Sequence, residues 1–510
     1  MSRVRTMLPC LFALSALPLI AGCEVGPHYR RPALVTAHAY SPTPLPPATA
    51  AAPGIATGAA QSLSTARSIS AQWWTVFRSP ALNKVIARAF AANPTVDAAI
   101  AALHEAQENV YAQRGYFYPT VQATYQAART KLSGNTASSS APGVQGNGED
   151  ISPLGPAEPV TYNFHTAQVT VGFVPDVFGA NRRQAESLQA QADAARYQLD
   201  AAYLTLASNV VAAALQEASA RAQIEAVRTI VQSNQRSLQI LHRQLQLGYA
   251  TRLDVAQQQL ALAQAQALLP PLQRQLAQTR DLIRALAGNA PDEDVPETFT
   301  LGSLHLPEQL PLSLPSQLIE QRPDVLAAEA QVRSASAQVG VAVANRLPQF
   351  SLTAALGGQA TQIAQMFQGA GTFWDVIGSA SAPLFDARTL QHRERAAHQA
   401  LAQAAAQYRS TALTAFQNVA DTLHALYSDA DALKSAVAVE TAAKVARDVS
   451  RQQYQAGYAN YLSVLTAQAA YQQAVIARVQ AQAARLGDTA ALFQALGGGW
   501  WNEGAAAGSR

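Results

Sequence analysis

The feature that most constrains the fold of this chain is an internal duplication. Gly248-Tyr249-Ala250 recurs as Gly457-Tyr458-Ala459, an offset of 209 residues, and leucine, valine and glutamine positions match downstream of both. Upstream, Pro119 recurs as Pro348, an offset of 229, so the first copy carries an extra segment, the polar insert at residues 131–159. Solenoid repeats are roughly 20–50 residues long, so each of these much longer copies is a complete substructure.

Each copy predicts the same order: a helix, two short strands, a very long helix, a reversal at the Gly-Tyr-Ala turn and a last helix. Alanine and glutamine dominate the long helices, and apolar residues step by three and four, which is coiled-coil spacing. At about 1.5 Å per residue, a long helix of this kind spans about 100 Å, more than a globular domain offers. The predicted helices cover residues 95–114, 180–247 and 253–287 in copy one, and 324–345, 387–456 and 462–496 in copy two.

Four segments alternate with a period of two residues. In the first, Val121, Ala123 and Tyr125 face one way, and Gln122 and Thr124 face the other. This alternation suits a transmembrane β-barrel with an apolar exterior, although a half-buried sheet in a water-soluble protein shows the same pattern. The four strands are predicted at about 117–130, 161–177, 348–358 and 372–385.

Four strands cannot close a barrel in lipid, because bacterial barrels have at least eight strands and an open edge leaves backbone groups unpaired. Two chains would supply eight strands, whose interior is largely filled by side chains. Three chains would supply twelve strands and leave a lumen, so a pore favours a trimer.

The N-terminus indicates export and lipidation. Arg3 and Arg5 precede an apolar run that ends at residue 22, which is typical of a signal peptide. Leu19-Ile20-Ala21-Gly22-Cys23 resembles a bacterial lipobox, so Cys23 is the expected lipidation site, carrying palmitate or a related acyl chain. The alternative is an ordinary secretory signal with an incidental cysteine. Glu24 follows where aspartate would resemble an inner-membrane retention signal, so the outer membrane is favoured.

Composition excludes several other classes. Charged residues make up 14% of the chain and the net charge is +3, so no basic field indicates nucleic-acid binding. Two cysteines cannot build a disulfide scaffold or a cysteine-based zinc module. The chain shows no phosphate loop, zinc-protease helix or nucleophile elbow, so we predict no enzymatic activity and no cofactor. Acidic residues 292–294 lie in a proline-bearing linker and indicate a solvated loop rather than a metal site.

The domain organisation follows from these segments. We predict a signal peptide at 1–22, a lipidated leader at 23–72, the first repeat at 73–288, an equatorial linker at 289–322, the second repeat at 323–502 and a C-terminal tail at 503–510.

Several motifs carry a family resemblance. They are Cys23-Glu24-Val25-Gly26-Pro27-His28-Tyr29, Trp73-Trp74 with Phe77, Gln321-Arg322-Pro323-Asp324-Val325, Pro383-Leu384-Phe385-Asp386 and Ala495-Leu496-Gly497-Gly498-Gly499-Trp500. In combination the chain resembles the TolC-like outer-membrane efflux proteins of tripartite pumps, and within them the NodT-type lipoprotein branch.

The resemblance implies an α+β membrane protein that forms a homotrimer, with one twelve-stranded β-barrel continuous with a long twelve-helix periplasmic α-barrel. It also implies an outer-membrane location in a Gram-negative bacterium, a periplasmic adaptor (membrane fusion) protein and an inner-membrane pump of the RND type as partners, and passage of toxic small molecules, as in multidrug resistance. Two alternatives stay open: the outer channel of a type I protein secretion system, and a non-conducting coiled-coil envelope lipoprotein.

The resemblance places the Gly-Tyr-Ala turns at the periplasmic tip, where relatives narrow the pore. The candidate tip or gate residues are Gly248, Tyr249, Arg252, Asp254, Gly457, Tyr458 and Tyr461. Rings of three such residues could constrict a pore. Asp254 could instead cap the returning helix, which is the favoured interpretation, and the tyrosines could be ordinary packing aromatics.

Overall fold

A computed structural model describes residues 24–33, 37, 39–64, 68–132 and 160–502. The predicted signal peptide, Cys23, the greater part of the polar insert and the C-terminal tail lie outside these residues. The chain divides into two compact units. Of the described residues, the sheet unit contains 24–30, 107–132, 160–190 and 333–402, and the helical unit contains the rest.

The described residues form nine α-helices, and the duplication is visible in their lengths. The helices are α1 (Pro80–Ala92), α2 (Pro94–Gly115), α3 (Ala180–Gln246), α4 (Arg252–Ala267), α5 (Leu269–Leu286), α6 (Pro315–Gln321), α7 (Pro323–Ala344), α8 (Thr389–Gln455) and α9 (Tyr461–Ala495). The two long helices, α3 and α8, have 67 residues each and begin 209 residues apart (389 − 180). The predicted class, duplicated units of helices and strands, is confirmed.

The strands belong to two sheets. They are β1 (Ser62–Ser64), β2 (Thr120–Leu132), β3 (Val160–Phe173), β4 (Gln309–Pro311), β5 (Gln349–Ala360) and β6 (Thr372–Ser381). Strands β2, β3, β5 and β6 form an antiparallel sheet in that order within the sheet unit. Strands β1 and β4 pair in parallel in the helical unit.

The four-stranded sheet has one apolar face, because the pairing register aligns the apolar positions of all four strands. Two rows cross the whole sheet: Val121, Val171, Ala354 and Val376, then Ala123, Val169, Leu356 and Trp374. The opposite face carries Gln122, Thr170, Ala355 and Asp375 in one row. The apolar face is open to its surroundings, since Val121, Leu356 and Trp374 keep 67%, 65% and 75% of their surface exposed.

Two strands are shorter than the alternation predicted. Strand β3 ends at Phe173 and β6 ends at Ser381, each four residues before the expected end. Pro175 and Pro383 follow these ends. Proline has no backbone N–H to donate to a neighbouring strand, so pairing stops before it.

Proline also interrupts the returning helix of copy one. That helix divides at Leu268 into α4 and α5, just ahead of Pro270-Pro271. The ring of an internal proline clashes with the preceding turn and removes a helical hydrogen bond. Copy two has no proline here, and α9 runs unbroken over 35 residues.

The leader is held against the helical unit through a buried arginine. Arg485 of α9 is fully buried and its Nη2 donates to the Ala59 carbonyl at 2.6 Å and to Thr49 Oγ1 at 3.1 Å. Burial lowers the pKa of this guanidinium. These hydrogen bonds hold the part of the leader just before β1 against α9.

Candidate functional site

Both Gly-Tyr-Ala turns close in the same way. After α3 the Gly248 N–H donates to the Leu245 carbonyl at 3.1 Å and the Tyr249 N–H donates to the Gln244 carbonyl at 2.8 Å. After α8 the Gly457 N–H bonds to Tyr454 at 3.1 Å and the Tyr458 N–H to Gln453 at 2.9 Å. This is the Schellman pattern, which needs a left-handed residue just after the helix. The two glycines supply it with φ of 82° and 77°.

In copy one the returning helix starts with a capping box. Thr251 is the N-cap, and its Oγ1 accepts from the Asp254 N–H at 3.2 Å. Asp254 Oδ2 in turn accepts from the Thr251 N–H at 2.8 Å and from its hydroxyl at 2.7 Å. A carboxylate in the first turn also faces the positive end of the helix dipole. The Asp254 side chain is thus engaged by its own helix terminus.

In copy two the cap has a different chemistry. Asn460 is the N-cap, and its Oδ1 accepts from the Ser463 N–H at 3.0 Å. The turn positions carry no acidic side chain here, because Ser463 stands where copy one has Asp254. The same turn geometry is therefore reached with a charged cap once and a neutral cap once.

The structure separates the three tip tyrosines. Tyr249 and Tyr458 are 79% and 87% exposed, whereas Tyr461 is only 6% exposed. Arg252 occupies the copy-one position that matches Tyr461 and is exposed. Tyr461 packs in a hydrophobic cluster with Leu241, Val255 and Val464. The Tyr454 ring meets the Tyr461 ring edge-on, with centroids 5.3 Å apart.

Tyr461 also begins a buried hydrogen-bond network that joins three helices. Its hydroxyl donates to Gln258 Oε1 at 2.6 Å, and Gln258 Nε2 donates to the Asn234 carbonyl at 2.9 Å. Gln468 Nε2 donates to Asn234 Oδ1 at 2.7 Å. Gln258 and Asn234 are 0% and 1% exposed. This network, which we call the amide network (Asn234, Gln258, Tyr461 and Gln468), ties α3 and α4 of copy one to α9 of copy two.

Electrostatics keep the Tyr461 phenol neutral. Burial, followed by the neighbouring Tyr454 and Asp254, raises the pKa of Tyr461 above that of an ordinary phenol. An ordinary phenol is already protonated at neutral pH, and the raised pKa keeps this hydroxyl a hydrogen-bond donor in alkaline solution as well. Sequence reasoning missed Asn234 and Gln258, because amide residues are spread over all faces of these helices and only the packing shows which are buried.

The described residues were also compared with the requirements of a membrane-spanning helix and of a metal site. Among them, no helix combines the length and apolarity needed to cross a bilayer. Within the same residues, His, Cys, Asp and Glu side chains form no group of three or more that could hold a metal ion.

Comparisons with known proteins agree with this architecture. The family described as outer membrane efflux protein matches residues 85–289 and 314–498. The chain is 29% identical over 461 residues to the pyoverdine export outer membrane protein OpmQ of Pseudomonas putida, covering 90% of this chain and 94% of that protein. It is 30% identical over 253 residues to the solvent efflux pump outer membrane protein SrpC of Pseudomonas putida, covering 50% of this chain and 54% of SrpC.

A solved structure shows the same fold. The outer-membrane channel OprN superimposes with a TM-score of 0.80 at 26% identity, covering 94% of this chain and all of that one. The family match spans both copies of the duplication and their turns. On these grounds the chain belongs to the outer membrane efflux protein family.

Proposed function

We propose that the chain is one subunit of a trimeric outer-membrane channel in an export pump. The observation that carries this proposal is the exposed apolar face of the four-stranded sheet, together with its two outer strands, β2 and β6. In the described residues, each of these strands has one hydrogen-bonded neighbour. In lipid each unpaired backbone group costs several kcal/mol, so such a sheet must close on other sheets.

The strand directions allow closure by copies of the same chain. Neighbouring strands alternate in direction across the sheet, so β2 and β6 run antiparallel to each other. The β6 of one subunit can therefore pair with the β2 of the next and continue an antiparallel barrel. Three copies give twelve strands, with the face of Gln122 and Thr124 lining a polar lumen.

We propose that the turns face the periplasm and meet partner proteins. Exposed large apolar side chains gather there: Leu247, Tyr249, Leu253, Tyr458 and Leu462 are 53% to 87% exposed. Patches of this kind mark protein interaction sites more often than they mark free surface. The proposed partner is a periplasmic adaptor protein, which connects the channel to an inner-membrane pump of the RND type.

Lipidation at Cys23 is part of the proposal. The residues that follow Cys23 are packed in the sheet unit, where Arg183 Nε lies 3.3 Å from a Glu24 carboxylate oxygen and donates to the Val25 carbonyl at 3.2 Å. Gly26 lies so close to Gly340 that an added Cβ would meet its Cα at 2.4 Å. An acyl chain on Cys23 would therefore start beside the unit that carries the membrane strands.

The proposed cargo is small toxic organic compounds that pass through the lumen without chemical change. Relatives support this class, since OpmQ is named for pyoverdine export and SrpC for solvent efflux. The energy for transport comes from the pump, and the channel conducts passively.

Two experiments test the proposal. Purified protein in planar bilayers should show discrete conductance steps, and deletion of the gene should sensitise cells to toxic compounds of the efflux class. A non-conducting envelope lipoprotein would show no steps under any condition. Normal susceptibility across a broad panel, with loss of one secreted protein, would instead indicate protein export.

A further inference from the structure

The apolar face of the sheet ends in two basic residues. Along β2 the outward positions continue from Val121, Ala123, Tyr125 and Ala127 to Arg129 and Lys131, because every second residue shares a face. Both side chains are exposed. Two cations thus stand on the same face as the apolar rows.

These cations lie at the end of the sheet that is opposite the long helix. Helix α2 leads into the start of β2, and β3 leads from its own end into α3, so both helices join the sheet at the same end. Arg129 pairs with Asn163 and Lys131 with Thr161, near the other end of that hairpin. On the proposed function, that other end is the extracellular rim of the barrel.

The height of the apolar band agrees with this location. Eight residues separate Val121 from Arg129, which is about 27 Å along a strand at about 3.4 Å per residue. A strand tilted by about 40° spans roughly 20 Å of membrane over that distance, close to the apolar band of about 25 Å in outer-membrane barrels. Arg129 therefore stands where hydrocarbon gives way to lipid headgroups.

A polar aromatic pair lies just inside the two cations. The Tyr125 hydroxyl and His165 Nδ1 are 3.0 Å apart, and their rings stack with an interplanar angle of 13°. His165 pairs with Ala127, which lies two residues before Arg129 on β2. The Tyr125–His165 pair is therefore on the same face as Arg129, nearer the middle of the sheet. Amphipathic rings favour the boundary between hydrocarbon and headgroups.

The charge on this face is uncompensated within the four strands. Their described residues contain a single acidic side chain, Asp375, and the register places it on the opposite face with Gln122 and Thr170. The complementary ligand is an anion that is anchored at headgroup depth. Arginine binds phosphate through two parallel hydrogen bonds, and lysine adds a point charge.

We propose that Arg129 and Lys131, with the Tyr125–His165 pair beneath them, bind the phosphate group of an outer-leaflet lipid. This inference rests on the proposed function, because it requires the sheet to lie in the membrane. Basic residues near a membrane surface each favour anionic lipid by about fivefold in affinity. The two together should favour a phosphorylated lipid by about 25-fold over its uncharged counterpart.

The test uses the full chain, purified in neutral detergent, and native mass spectrometry with added lipid A. Wild-type protein should bind diphosphorylated lipid A well and chemically dephosphorylated lipid A weakly. The double variant Arg129→Gln/Lys131→Gln should lose about 25-fold in affinity for the phosphorylated form. The charge-keeping variant Arg129→Lys/Lys131→Arg should bind like wild type, and so should Lys84→Gln, which removes an exposed charge from the helical unit.

Equal affinity of wild type and the double variant, or equal binding of both lipids, would overturn the inference. Conductance separates this failure from a failure of the proposed function. The double variant should conduct like wild type. A wild-type channel that conducts but shows no preference for phosphorylated lipid would therefore contradict only the lipid site. A wild-type protein that never conducts would contradict the proposed channel function itself.

Discussion

The two copies share one backbone plan but use different side chains to complete it. Helices α3 and α8 have equal lengths, and both end in the same glycine turn. At the offset of 209, the exposed Arg252 of copy one matches the buried Tyr461 of copy two, and the buried Asn234 matches Ala443. The backbone and the glycines thus determine the geometry of both turns. The contacts between the two copies are made by side chains that differ at matching positions.

The largest expected effect is at Tyr461. Tyr461→Ala removes a buried ring and leaves Gln258 without its donor, so we expect the free energy of unfolding to fall by about 3 to 5 kcal/mol. Arg252→Ala, at the matching position of copy one, should change it by less than about 0.5 kcal/mol. Denaturant titration in detergent measures both, and equal losses would contradict the asymmetry.

The second largest loss of stability is expected when the amide network is disrupted. Asn234→Leu removes the side-chain oxygen that accepts hydrogen bonds from Gln468 and, at 3.4 Å, from Gln258. Because both hydrogen bonds are then lost in a buried site, the change should cost about 2 kcal/mol. Gln259→Leu, at the exposed position next to the buried Gln258, serves as the control for an amide-to-leucine change and should cost little. A loss as small as that of the control would show that the network does not stabilise the contact between the copies.

A third difference predicts a pH effect confined to copy two. Burial raises the pKa of Asp488 from 3.8 to about 7, and the hydrogen bond and charge of Asp429 add to the shift. Copy one has Thr279 and Ala220 at the matching positions. Because the folded-state pKa is raised, this stabilisation is complete below about pH 4 and is lost as the pH rises through 7.

We therefore expect Asp488→Asn to flatten the dependence of stability on pH between 4 and 8, because the variant has no carboxyl to titrate at this position. Unfolding measured across this range provides the test. A variant that keeps the full slope of wild type would show that another group titrates.

The two turns should respond alike to loss of glycine. Gly248→Ala and Gly457→Ala each force a Cβ into the left-handed region, which costs about 1 kcal/mol. The two losses should agree within error when melting is compared under one condition. A much larger loss at one turn would mean that the turn backbones are not equivalent.

The smallest expected effect is at the caps. Asp254→Ala breaks the capping box and Asn460→Ala removes the side-chain acceptor of the other cap, and each should cost about 0.5 kcal/mol or slightly more. If Asp254 acts as a cap alone, the conductance of reconstituted channels should be unchanged. An increase in conductance would make Asp254 a gate residue, which is the alternative interpretation of this position.

Much of the fold could be predicted from the sequence, because turn glycines, prolines and strand alternation each determine the structure near their own position. The glycines of the turns, Pro270-Pro271 and the alternation of Val121 to Tyr125 each act through their own backbone or through the nearest strand. The strand ends at Phe173 and Ser381 were predicted too far along, since alternation continues past the point where a nearby proline stops pairing.

The candidate site was less accessible to sequence reasoning. Tyr458 and Tyr461 are three residues apart and look equivalent, yet one is exposed and the other buried, because burial depends on residues of the other copy. Asn234 and Gln258 lie in helices rich in amide side chains, so no local pattern marks them. Contacts between the copies decide these roles.

The closure of three sheets into one barrel is the central requirement of the proposed channel. The most direct measurement is cross-linking between a cysteine at Thr124 on β2 and a cysteine placed in turn at Phe373, Asp375 or Ile377 on β6, all on the same face of the sheet. If the barrel closes from three chains, at least one pair yields a covalent ladder that ends at three chains. A ladder that ends at two chains, or links formed only within one chain, would contradict this closure.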